Sequence, residues 1–340
     1  MSTTARTVLF HEIGGPEVLG IEDVAVPAPG RGEVAVRVEA LGLNRAEALF
    51  RSGTYYYQPA LPASRLGYEA SGVVEAVGEG VTELAVGDLV MTGPGIEMSA
   101  QGVYAERVVL PETAVVTRPA SVDAVTGAAA WLTYTTAYGA LLETAGLEPG
   151  DHVLITGASS GVGTAAIQVA RRIGAIPLVT TRTEAKRQGL LDAGAAEVIV
   201  SGENAAGEGE GGAEAVAKEA RRLTGGRGVE VIFDAIGGPG FRPLAEALAE
   251  GGSVVAYGWL DRRPAEIPWN WPFTIHTYAN MNLTTTPGGR RRSTAFLNAG
   301  LADGGFRPVV AEVFDGLDRI RDAHRLMESN RHTGKIVVRL

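Results

Sequence analysis

Near the middle of this chain stands Val153-Leu154-Ile155-Thr156-Gly157-Ala158-Ser159-Ser160-Gly161-Val162-Gly163, an apolar run of strand character broken at once by a Gly/Ser-rich turn. An amphipathic helix follows, from Thr164 to Ile173. That order puts unpaired backbone N–H groups and a helix N-terminus at the carboxyl end of a strand, where a pyrophosphate is stabilised. A glycine-rich turn alone is weak evidence, since a tight turn needs no ligand. Its context strengthens it. Strands at Val153–Thr156, Pro177–Thr180, Val198–Val200, Val229–Asp234 and Ser253–Tyr257 alternate with helices at 162–173, 184–192, 213–223 and 241–249. Such alternation predicts an α/β fold with a parallel, doubly wound sheet.

Residues 1–120 carry a different pattern. Val34–Ala40 alternates with period two, as Ala114–Thr117 does more weakly, while Gly72–Gly78 and Gly87–Met91 are strands punctuated by glycine. A small, bent, β-barrel-like domain suits them. At 340 residues two domains are expected. The Ala-rich stretch 122–145 has helical spacing but is broken by Gly127 and Gly139, so it is not a membrane span. The chain closes with a helix over 316–329 and a strand at Lys335–Arg339. Ser201–Gly212, rich in Gly and Glu, reads as a surface loop.

Composition narrows the chemistry. A net charge of −9 argues against nucleic acid or an anionic membrane as partner. With no cysteine there is no disulfide and no thiolate to bind metal or attack substrate. The N-terminus lacks an apolar signal core, so a soluble cytoplasmic protein is expected. The turn also fits the short-chain dehydrogenases, which need a Tyr with a Lys four residues later. Only Lys186, Lys218 and Lys335 are present, preceded at that spacing by Arg182, Glu214 and Arg331, so that reading fails.

Cofactor choice is read about 20 residues beyond the turn, where an NAD site shows Asp or Glu on the ribose 2′-OH. Here the strand ends Thr180-Thr181-Arg182-Thr183, with Lys186 and Arg187 following. A cationic, hydroxyl-bearing strand end favours the 2′-phosphate of NADPH. Thr181 and Glu184 also have the spacing of a helix capping box. The plain alternative for Lys186 and Arg187 is a solvated helix face.

With these features in view, the chain resembles the medium-chain dehydrogenase/reductase superfamily, specifically its zinc-independent quinone oxidoreductase-like branch. The markers are Gly14-Gly15-Pro16-Glu17-Val18-Leu19, Gly42-Leu43-Asn44-Arg45-Ala46-Glu47, Arg51-Ser52-Gly53-Thr54-Tyr55, Leu66 to Val74, Val86-Gly87-Asp88-Leu89-Val90, Thr136-Ala137-Tyr138 and Gly334-Lys335-Ile336-Val337. The resemblance implies a GroES-like β-barrel-type catalytic domain over 1–124, a Rossmann NADP-binding domain over 125–288, and a C-terminal return over 289–340. It implies cofactor contacts from Asn44, Thr136, Gly157, Ala158, Ser159, Ser160, Gly161, Val162, Gly163, Thr181, Arg182, Lys186, Tyr257 and Gly258. Two departures stand out. Zinc-dependent members carry Gly-His-Glu where this chain has Gly67-Tyr68-Glu69, and no cysteine ligand exists, so no metal is expected. The central glycine common in the zinc-independent turn is Ser160.

Without a Lewis acid, the chemistry left is hydride delivery from NADPH plus a proton source. A quinone, or a carbon–carbon double bond conjugated to a carbonyl, needs no more. Tyr55 falls where enoyl-reductase members place a proton donor; the alternative is an ordinary aromatic in a Tyr-rich loop. Asn44 is expected at the nicotinamide ribose or the acceptor carbonyl, or else as a loop cap. Tyr68 is a donor at the vacated metal position or a core filler. Glu69 reads as a structural carboxylate. Trp131, Trp259 and Trp271 are expected to include a wall of the site. A ketone reductase, and an NADPH-binding protein without turnover, stay open beside the main reading. Thr277–Thr286, matched by resemblance to the edge strand of the nucleotide-binding sheet, is expected to pair with its own copy in a homodimer.

Overall fold

The period-two alternation starting at Val34 becomes the strand Glu33–Gly42, with Val34, Val36, Val38 and Ala40 buried. This strand is the hub of a seven-stranded sheet. It pairs antiparallel with Glu69–Val77, Arg107–Pro111 and Lys335–Arg339. Val310–Asp315, Leu89–Thr92 and Val115–Thr117 complete the sheet. Register shifts at Ala35/Val36 and Val38/Ala40 interrupt the ladder and bend the strand. A three-stranded sheet of Gly20–Val26, Thr3–Phe10 and Ser64–Arg65 adds a second layer. Val8, Phe10, Val36, Leu41, Phe50 and Leu110 share one core. Residues Met1–Leu132 and Thr284–Leu340 together make this unit. It is the bent, barrel-like β domain read from the sequence. The computed structural model describes residues 3–93, 95–202, 210–269 and 272–340.

The second unit, Thr133–Leu283, holds a six-stranded, all-parallel sheet. His152–Ile155, the strand that feeds the glycine-rich turn, lies centrally between Ile176–Thr181 and Val229–Asp234. The sheet continues one way to Glu197–Val200 and the other way to Leu248–Ala256 and Thr274–Thr277. Strand order therefore reverses at His152–Ile155, which makes its carboxyl end the topological switch point where such sheets bind ligands. The helix Gly161–Ile173 starts at that end and buries Ala165, Ala166, Ile167, Val169 and Ala170. Gly174, in the left-handed region, stops it.

Four expectations are corrected. The helix expected over 241–249 is only Phe241–Ala245, because Leu248 already enters a strand paired to Val229. The edge strand expected over 277–286 is Thr274–Thr277 instead. Beyond it, Asn282 and Leu283 bond back to Ala279 and Asn280, turning the chain into the short helix Met281–Thr284. Pro287-Gly288-Gly289 does not end a strand but starts the helix Pro287–Ala302, with Thr286 capping Gly289 N–H. No capping box forms at Thr181 and Glu184: Thr183 precedes a single 3₁₀ turn, and Glu184 pairs with Arg187. Trp271 and residues 203–209 of the Gly/Glu segment lie outside the described residues. Among the described residues no helix is long and apolar enough to cross a membrane.

Candidate functional site

The residues singled out in the sequence fall into two groups, one in each unit. In the first unit the site grows from the helix Arg45–Arg51, which Asn44 and Glu47 close with a reciprocal capping box. Glu47 is fully buried; its Oε2 accepts from the Asn44 amide N–H, and its Oε1 accepts from Asn44 Nδ2 at 3.1 Å and from Tyr68 N at 3.2 Å. Burial pushes the Glu47 carboxyl up to about 7, with Lys335 opposing the rise. Lys335, also buried, donates to Asn44 Oδ1 and to Glu69 Oε2. Glu69 also accepts from Leu132 N at 2.8 Å and from Asn44 Nδ2 at 3.5 Å. Asn44 thus sits in a closed polar frame that fixes the start of the helix, the strand after Tyr68 and the returning C-terminal strand. Glu69 has the structural role read for it.

Tyr68 is 3% exposed. Gly67 before it has φ +101°, and an added Cβ would meet the Tyr104 ring at 2.2 Å, so only glycine lets the chain pass here. The Tyr68 hydroxyl lies 2.8 Å from that of Tyr57, and its ring centroid lies 6.5 Å from that of Tyr55. Phe50, fully buried, anchors the tyrosine loop by an edge contact to Tyr55 at 6.2 Å and a tilted contact to Tyr57 at 5.1 Å. Burial raises all three phenols above the ordinary tyrosine range. All are therefore neutral donors at physiological pH.

In the second unit, the phosphate turn is built as expected. Ser160 caps the helix, its Oγ accepting from Gly163 N at 3.0 Å, which leaves the Gly161 and Val162 N–H groups to an anion. A Cβ on Gly163 would lie 2.5 Å from Ala158 Cα and 2.6 Å from Gly157 O, so this glycine permits the tight helix–turn contact. Lys186 Nζ donates to Ser159 Oγ at 3.1 Å, which carries a cation onto the turn. Burial, and then the neighbouring Arg182, lower the Lys186 ammonium. Arg182 is exposed and Thr181 buried at the same strand end. Tyr257 stacks on Phe233 at 3.9 Å, and its buried hydroxyl, beside Ser160, has no hydrogen-bond partner among the described residues. Gly258 passes close to Ala235 O, and Thr136 is buried in the helix Trp131–Tyr138. A dinucleotide fits this set: a tight turn, outward N–H groups, cations and an orphaned hydroxyl.

Some readings change. Arg187 does not join Lys186, because it bonds Glu184 and Val198 O. Trp131 is fully buried against Gly93, a core residue, whereas Trp259 is 63% exposed. Sequence reasoning missed Asp234. This buried carboxylate accepts from Thr156 Oγ1 at 2.6 Å and from the Ile236 and Gly237 N–H groups, tying together the ends of the two central strands. An acidic residue ending an apolar strand was its available signal. Lys335 was visible only as part of Gly-Lys-Ile-Val, and Glu47 as the fourth residue of Asn-x-x-Glu.

Behind the tyrosines, His324 is fully buried, with Nδ1 2.8 Å from Arg51 and its ring 5.9 Å from that of Tyr104. Burial, then Arg51 and Arg45, lower it from 6.5 to about 3. It is neutral in the fold and protonates freely in the unfolded chain. Its contribution to stability is therefore present above pH 6.5 and is lost as pH falls toward 3. Urea midpoints of the natural chain are expected to fall more steeply across that window than those of His324→Gln, with a limiting slope of about 1.4 kcal/mol per pH unit. Parallel pH profiles would contradict this.

Known proteins resemble the chain along its length. Residues 30–120 match the family described as alcohol dehydrogenase GroES-like domain, and residues 193–338 match the family described as zinc-binding dehydrogenase. The quinone oxidoreductase of Lama guanicoe is 33% identical over 339 residues, covering 98% of this chain and 97% of its own. The crystal structure of Pseudomonas syringae pv. tomato DC3000 quinone oxidoreductase aligns with TM-score 0.87 at 29% identity, covering 99% of this chain and 100% of that one. Escherichia coli quinone oxidoreductase, solved in complex with NADPH, aligns with TM-score 0.86 at 27% identity over 98% of this chain and 100% of that one.

Proposed function

The chain belongs to the medium-chain dehydrogenase/reductase superfamily, in its quinone oxidoreductase-like branch, and from that premise we propose that it reduces a quinone, or a double bond conjugated to a carbonyl, with NADPH and without zinc. The observation that carries this reading is Lys186 bonded to Ser159 on the phosphate turn, beside Arg182. A cation stands where an NAD site would hold a carboxylate, so the 2′-phosphate is attracted and not repelled. Bound there, NADPH supplies the hydride.

The residues of the chain do the remaining work. Gly161 and Val162 N–H groups hold pyrophosphate oxygens, and Lys186 and Arg182 hold the 2′-phosphate. Asp234 and Thr156 keep the two strand ends at fixed spacing. Tyr55, held by Phe50, donates a proton to the oxygen or carbon that becomes basic as the acceptor is reduced. Tyr68 replaces a metal ligand with a neutral donor. Asn44 holds the helix start through its closed frame and is assigned to positioning.

An NADPH-consumption panel of p-quinones, conjugated enones, enoyl thioesters and simple ketones tests the reading. Turnover with the first classes, unchanged by chelator, is expected. Turnover with simple ketones alone favours a ketone reductase, and binding without any turnover favours a sensor. We also propose a homodimer in which the edge strand Thr274–Thr277 pairs with its copy. Light scattering at micromolar concentration is expected to give twice the chain mass for the natural chain and the single-chain mass for Ile275→Pro, which removes a ladder donor. A natural chain of single mass contradicts the proposal.

A further inference from the structure

Three tyrosines stand in a row at 55–57, and the loop places the middle one differently. Tyr55 and Tyr57 are half-buried and pack against the core of the β unit. Tyr56, between them, is 69% exposed. An exposed ring on an ordinary loop swings into water. This one lies back on its neighbours, its centroid 4.4 Å from that of Tyr55 and 4.9 Å from that of Tyr57. The neighbours are themselves fixed. Phe50 meets both rings, and the Tyr57 hydroxyl lies 2.8 Å from that of the buried Tyr68. Gln58 Nε2 donates to Gly53 O at 3.1 Å, which closes the loop across the tyrosines. Tyr56 therefore presents an aromatic surface to solvent on a side chain that is already placed. A flat ring that stacks there gives up little of its partner's conformational entropy.

We propose that Tyr56 is a stacking shelf for the acceptor and selects planar, fused-ring quinones over puckered enones. The inference rests on the reading of Tyr55 as proton donor, since an acceptor at Tyr55 lies beside the adjoining ring of Tyr56. The ring of a fused quinone that does not react lies over Tyr56, offset so that its positive edge meets the electron-rich face. Saturated carbons in an alicyclic enone stand out of the plane and break that contact, and the chain of an enoyl thioester has no ring to offer. Stacking on a part of the acceptor that does not react acts alike on the bound substrate and the transition state. It is therefore felt in KM and not in kcat.

Steady-state kinetics of the natural chain, Tyr56→Phe and Tyr56→Leu test this, with NADPH and either 1,4-naphthoquinone or 2-cyclohexen-1-one. Tyr56→Leu is expected to raise KM for the quinone about tenfold, as the loss of an aromatic pair implies, with kcat held. Its KM for the enone is expected to stay natural. Tyr56→Phe keeps the ring and is expected to match the natural chain with both probes. NADPH affinity, read from its fluorescence, and the thermal midpoint are expected to be unchanged in both variants, because the side chain is exposed. A Tyr56→Leu enzyme with natural KM for the quinone, or with both KM values raised alike, overturns the shelf. Calorimetric binding of 1,4-naphthoquinone to the protein without NADPH separates this inference from the reading it rests on. If the natural chain binds the quinone and Tyr56→Leu binds it about tenfold more weakly, yet neither probe is reduced, the shelf stands and the reductase reading fails. If the natural chain reduces the quinone and Tyr56→Leu does so equally well, the reductase reading stands and the shelf fails. A natural chain that does not bind the quinone at all also overturns the shelf.

Discussion

Gly163→Val is expected to raise the Kd for NADPH at least about 100-fold, equivalent to ~2.7 kcal/mol. The valine Cβ would start 2.5 Å from Ala158 Cα and 2.6 Å from Gly157 O, where backbone cannot yield cheaply. Either the helix Gly161–Ile173 retreats from the turn or the turn itself is pushed outward. Both outcomes misplace the Gly161 and Val162 N–H groups proposed to bind the pyrophosphate. Overpacking also costs the fold about 1–3 kcal/mol, so circular dichroism should accompany the binding measurement. Gly163→Ala, with a single added methyl group, should show the same trend. A folded Gly163→Val protein with natural NADPH affinity would remove the phosphate turn from the account.

Lys186→Glu should have an effect of similar size but opposite selectivity. Losing one charge-assisted contact costs about 1.5–3 kcal/mol, and the new carboxylate adds repulsion at the 2′-phosphate. NADPH binding is expected to weaken about 100-fold or more, while NADH, which has a hydroxyl there, loses little and becomes the better ligand. Lys186 Nζ reaches the turn through Ser159, so Ser159→Ala should weaken NADPH modestly in the same direction. Equal loss of both cofactors in Lys186→Glu would mean that the residue supports the turn without reading the phosphate.

Much of the nucleotide-binding unit was legible because each step had a local signature. Val153–Ile155 followed by glycines is strand, turn and helix start within a dozen residues, and Val229–Asp234 was read to its last residue. Misreadings arose where tertiary pairing outweighed local pattern. Leu248 and Ala249 have helical neighbours, yet they join a strand because Val229 and Val231 offer a parallel ladder. Thr284, Thr285 and Thr286 look extended by composition, but Thr286 serves as the cap of a helix starting at Pro287. In the β unit the candidate residues were legible one by one but not as a constellation. Asn44, Tyr55 and Tyr68 could be named, whereas the buried frame needs Lys335, which is 291 residues from Asn44. Tyr57 showed only as one of three adjacent tyrosines; its bond to Tyr68 depends on how the loop folds back.

The most direct test follows the transferred hydrogen. NADPH deuterated at the transferring position of nicotinamide C4 is supplied with a conjugated enone, and the product is examined by nuclear magnetic resonance. Deuterium is expected at the β carbon, with the carbonyl intact and a solvent-derived hydrogen at the α carbon. Deuterium on the former carbonyl carbon, giving an allylic alcohol, would contradict the account and make the chain a carbonyl reductase.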